Sequence, residues 1–84
     1  MANHPSALKR MRQSEKKRLR NMAYRSRIRT AVKKFLHAAG EQSADAAQLL
    51  QSASSLLQKG VSKGIVHHNT ASRTISRLAR RLPS

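Results

Sequence analysis

Cysteine is absent from the 84 residues, which excludes disulfide staples and thiolate metal sites. Tryptophan is absent too, and the aromatic content is one Tyr and one Phe. Proteins that read splayed single strands usually stack bases on several rings, which this chain can hardly do. Acids are nearly missing: Glu15, Glu41 and Asp45 are the whole set. They suggest no carboxylate pair, and there is no glycine-rich phosphate loop. No enzyme, cofactor, metal or small-molecule substrate is therefore expected. No run approaches the roughly 18 to 20 apolar residues of a membrane span, and the N-terminus has no apolar core of a secretory signal. The first thirty residues are Arg-rich and acid-poor, which superficially suits a mitochondrial transit peptide. The same segment, however, runs without a break into a core pattern.

What the chain does have is positive charge. Eighteen Lys or Arg face three acids, for a formal charge of +15 and a pI near 12.0. Self-repulsion on that scale points to a dense polyanion as partner, nucleic acid first and an anionic membrane surface second. The charge is partitioned. Residues 1–34 carry twelve basic residues and one acid, residues 35–58 carry two acids and no Lys or Arg, and residues 59–84 carry six basic residues and no acid. The middle block is built for something other than the polyanion.

Periodicity predicts an all-α chain with helices over about 6–39, 44–59 and 69–82, in a single domain spanning 1–84. Pro5 and Ser6 suit a helix start, and Gly40 sits where a left-handed C-terminal glycine belongs. Ser43 is the expected cap of the second helix, with Asp45 in its first turn. The segment "GVSKGIV", Gly60 to Val66, reads as a turn. Asn69 or a near neighbour caps the third helix, and Pro83 follows it. The apolar stripes are Ile28, Ala31, Val32, Phe35, Leu36 and Ala39; then Ala46, Leu49, Leu50, Ala53, Leu56 and Leu57; then Ala71, Ile75, Leu78, Ala79 and Leu82. Each has the helical period and none alternates. Short connections make the three helices a three-helix antiparallel bundle.

The lengths do not match. A first helix of about 34 residues is about 51 Å long, against about 24 Å for a second helix of about 16. Residues 6 to about 23 therefore form a protruding N-terminal overhang with no partner in the chain. Its apolar residues, Leu8, Met11, Leu19 and Met22, make no wide stripe. Like charges meet at Arg12–Lys16 and Lys16–Arg20, and Glu15 relieves only Arg12 and Arg18. In free solution the overhang should fray; among phosphates the repulsion turns into attraction.

The N-terminal "ANHPSALKRMRQSEKKRLRN", the following "SRIRTAVKKF" and the C-terminal "KGIVHHNTASRTISRLARRL" together resemble the bacterial small-subunit ribosomal protein family S-twenty. The likeness runs over nearly the whole chain in the family's order. It implies a three-helix bundle with an extended first helix, bound to small-subunit ribosomal RNA as a primary binder that supports assembly of the particle, on the cytoplasmic ribosome. It also implies that Ser6, Lys9, Arg10, Arg12, Lys16, Arg18, Arg20 and Asn21 lie along RNA. Ser26, Arg27, Arg29, Thr30, Lys33 and Lys34 belong with them, as do His67, Asn69, Arg73, Ser76 and Arg77. Lys17, Arg25 and Lys63 join the set. The family often carries Lys where this chain has His68, Thr70 and Thr74, and a basic residue at Ile75, so the third helix here is less basic.

Contacts should fall mainly on phosphate and sugar. Arg forks onto phosphate oxygens, Lys acts as a point charge, and Asn or Ser donates to a backbone oxygen or 2′-hydroxyl. Other ribosomal proteins are expected as partners only peripherally. His67 and His68, being adjacent, share no face and make no metal site; they read as turn residues or phosphate partners. The competing function is a nucleoid protein that compacts DNA by charge alone. A membrane-surface helix would need a strong apolar face opposite the basic one, which the overhang lacks.

Overall fold

The computed structural model describes residues 5–82, and the expected Pro83 stop lies outside them. Among the described residues there are three helices and no strand: α1 (Pro5–Gly40), α2 (Ala46–Ser62) and α3 (His68–Ala79). α2 is the central helix, packed on both α1 and α3. This is the role of the middle block that lacks Lys and Arg. The molecule measures 64 × 20 × 13 Å because the first half of α1 runs out beyond the bundle.

The core begins at Tyr24. The buried apolar residues are Tyr24, Ile28, Phe35 and Ala38 of α1, Ala46, Ala53 and Leu57 of α2, and Ala71 and Leu78 of α3. Phe35 is fully buried among Ala38, Ala46 and Leu78. Two expectations change. Ala79, placed on the third stripe, is exposed. Tyr24, left off the first stripe, is buried because its hydroxyl donates to the Leu56 carbonyl oxygen at 2.7 Å, which satisfies its polar end across the helix interface.

The ends of the helices differ from expectation in instructive ways. Gly40 is still helical. The chain turns two residues later, at Gln42, which takes φ 54°. The Gln42 N–H donates to the Ala39 carbonyl at 3.1 Å and the Ser43 N–H to the Ala38 carbonyl at 2.9 Å. These two bonds make a Schellman closure with a non-glycine residue at its left-handed position. That conformation costs an L-residue about 1–2 kcal/mol, part of which glycine's extra unfolded-state freedom offsets. Gln42 is exposed, so Gln42→Gly removes no packing. It should stabilise the fold by about 0.5–1 kcal/mol and raise the melting temperature by several degrees, as a thermal scan would read.

α2 starts two residues later than expected. Asp45 occupies the N-cap without a side-chain cap bond, and Ser43 Oγ accepts from the Asp45 N–H at 3.2 Å. At the other end, helix continues through Gly60 to Ser62, correcting the turn expected from Gly60 onward. Gly60 is buried where α2 crosses α1: a Cβ there would come within 3.0 Å of Val66 Cγ2 and 3.2 Å of Tyr24 Cε1. It is a close-approach glycine. Gly64, at φ 74°, makes the actual turn, with the Ile65 N–H donating to the Gly60 carbonyl at 2.9 Å. α3 is capped by His67, whose Nδ1 accepts from the Asn69 N–H at 3.1 Å, and it closes at Arg80, short of the expected residue 82.

Candidate nucleic-acid interface

Every residue from Ser6 to Arg20 is exposed, and seven of these fifteen are Lys or Arg. The overhang is helical throughout in the structure, whereas its charge alone predicts fraying. Its composition explains this: Lys, Arg, Leu, Met, Gln and Glu are good helix formers. The Glu15 carboxylate also accepts from Arg18 at 2.7 Å, one turn on. That bond, and the charge behind it, hold Glu15 below its usual carboxylate range. Among the described residues, no tertiary packing supports the segment.

Leu8, Met11, Leu19 and Met22 are 46%, 69%, 54% and 50% exposed, so the overhang presents them to solvent rather than to the bundle. At the helical period they share a sector only about 80° wide, interrupted by Glu15 and turned away from the face that carries Tyr24, Ile28 and Phe35. The basic residues take most of the remaining circumference. The result is a rod with cations on several sides, not a helix with one cationic and one broad apolar face.

Where α1 enters the bundle its cations divide into two flanks. Ser26, Arg27, Thr30 and Lys34 border the furrow toward α2. Arg25, Arg29 and Lys33 border the groove toward α3. Arg27 and Lys63 both reach toward the Tyr24 ring, with their charged groups 5.7 and 5.8 Å from its centroid. Arg25 donates at 3.5 Å to the Ile65 carbonyl oxygen. On α3, His67, Asn69, Arg73, Ser76 and Arg77 are exposed; of the whole set named from sequence, only Asn21 is partly buried. The set divides between the overhang, the two flanks of α1, Lys63 at the end of α2, and the outer face of α3 with its cap. Lys59, Arg80 and Arg81 lie outside it and are exposed as well, a supplement that charge alone would have supplied.

Fold and charge together define a small basic helical protein whose longest helix carries cations that no other described part of the chain covers. Comparison with known proteins makes this specific. Residues 2–83 match the family model described as "Ribosomal protein S20". The small ribosomal subunit protein bS20 of Desulforapulum autotrophicum is 52% identical over 82 residues, covering 98% of this chain and 99% of that protein. Those of Paramagnetospirillum magneticum and Dinoroseobacter shibae are 53% and 52% identical over 83 residues, covering 98% of this chain and 92% and 94% of their own lengths. The chain belongs to the ribosomal protein S20 family, a family of structural proteins and not of enzymes.

Proposed function

We propose that this chain is a structural constituent of the small ribosomal subunit in the cytoplasm. In this reading it binds small-subunit ribosomal RNA directly, through phosphate and sugar contacts of its basic helices, and supports assembly of the particle. The observation that carries the reading is the exposed helical rod of residues 6–20, with seven cations and one acid, in a chain of this family. A rod of that kind gains little from the bundle and much from a crevice lined by phosphates. On it, Lys9, Arg10, Arg12, Lys16, Lys17, Arg18 and Arg20 neutralise phosphates, while Ser6 and Asn21 donate to sugar or backbone oxygens. On the bundle, Arg25, Arg27, Arg29, Lys33, Lys34 and Lys63 continue the positive surface, with Ser26 and Thr30 between them. Arg73 and Arg77 extend it onto α3, joined by His67, Asn69 and Ser76.

A salt titration tests this. Neutralising about eight phosphates gives a log–log slope of affinity against salt of about −6 to −7. Small-subunit RNA should also be bound far better than random duplex DNA at moderate salt. Equal affinity for the two, with recovery of the protein on the nucleoid and not with small subunits in a sucrose gradient, would replace this reading by that of a DNA-compacting protein.

A further inference from the structure

The backbones of α1 and α3 approach each other less closely than either approaches α2, and a groove of about 630 Å³ opens between them. Its floor is aliphatic, formed by Ile28, Val32, Leu57 and Val66. One lip is the row Arg25, Arg29 and Lys33, spaced one helical turn apart, or about 6 Å per step. That row suits a chain of successive negative charges better than a single anion. Across the groove, α3 contributes the uncharged Thr70 and Thr74. At the mouth stands His67, whose ring stacks on that of His68 with centroids 4.6 Å apart and planes 25° from parallel. Acceptance from the Asn69 N–H fixes His67 in place through Nδ1, so the neutral ring carries its proton on Nε2, a free donor. An apolar slot, a flat ring at its opening and a row of cations along one edge together match a nucleotide taken out of its stack. The two carbocyclic rings of this chain cannot act as platforms, because Phe35 and Tyr24 are buried.

We propose that the α1–α3 groove receives one unstacked nucleotide of the bound RNA. Its base lies on the aliphatic floor against the His67 ring, and its flanking phosphates lie along Arg25, Arg29 and Lys33. This rests on the reading of the chain as a binder of small-subunit RNA and adds to it a contact that depends on shape more than on charge. Thr70→Leu with Thr74→Leu fills the groove while leaving every cation in place. The double variant should bind purified small-subunit RNA about tenfold more weakly, with the salt slope of the parent unchanged. Equal affinity in variant and parent overturns the proposal. A second measurement needs no variant: ultraviolet crosslinking of the unsubstituted chain within reconstituted small subunits, with crosslinked peptides and nucleotides identified by mass spectrometry. A nucleotide crosslinked to the segment from Ile65 to Thr74 supports the groove as a base site; crosslinks confined to other segments overturn it. A parent chain with no salt-dependent affinity for the RNA would overturn the broader reading and the groove with it, a result distinct from loss in the filled variant alone.

Discussion

Reversing Arg18 and Arg20 together to Glu is expected to weaken binding of small-subunit RNA by at least about 100-fold, with the free protein still folded. Each charge-assisted hydrogen bond to phosphate is worth about 1.5–3 kcal/mol, so losing two removes about 3 kcal/mol or more. Reversal adds repulsion to that loss. The salt slope should become shallower by about 1.5 to 2, the share of two phosphates. On the protein side little changes. Both side chains are exposed, and Arg18 gives up only its surface pair with Glu15 and a 3.8 Å approach to Met22 Sδ. Filter binding across a salt series reads the first effect and thermal denaturation the second. A collapse of the melting transition in this variant would mean that the overhang packs on its own bundle, contrary to the exposed helix described above.

Phe35→Ala should do the reverse. A fully buried Phe replaced by Ala costs about 3–5 kcal/mol, and a core of this size rarely supplies more than about 3–5 kcal/mol in total. The neighbours that would have to close over the cavity include Ala38 and Ala46, which are too small to fill it. The free variant should therefore lose its cooperative thermal transition and most of its helical circular dichroism signal from α2 and α3. Saturating RNA should restore much of it, because a ligand that binds only the folded form shifts the equilibrium by mass action. The two variants thus separate what holds the bundle together from what the rod is for.

Much of this was legible in the residues. The three helices follow from apolar stripes of helical period, and the mismatch between α1 and α2 follows from their lengths alone. Exposure of the basic set was equally readable, since a run of one sign has no way to bury itself. The errors cluster where a local signal had two candidates. In "GVSKGIV" both glycines look like turn residues. Only the approach of Tyr24 and Val66 tells Gly60, pressed against them in the helix, from Gly64 at the left-handed position. At the end of α1 the glycine rule points to Gly40, but the closure falls on Gln42, because it is Ser43 that reaches the Ala38 carbonyl. Tyr24 was missed because it sits among arginines, and its burial depends on a carbonyl 32 residues away. The α1–α3 groove was invisible for a related reason: it depends on how far apart the backbones of two helices stand where both lean on a third.

The rod without tertiary support has one more consequence. Opening a turn of residues 6–20 breaks no packed contact, so its local unfolding costs almost nothing, whereas opening the turns around Phe35 disrupts the bundle. Trypsin cuts after Lys and Arg and tracks the population of opened backbone. Copies free of RNA should therefore be trimmed by trypsin from the amino end first, and the survival of that end should report the fraction that is bound.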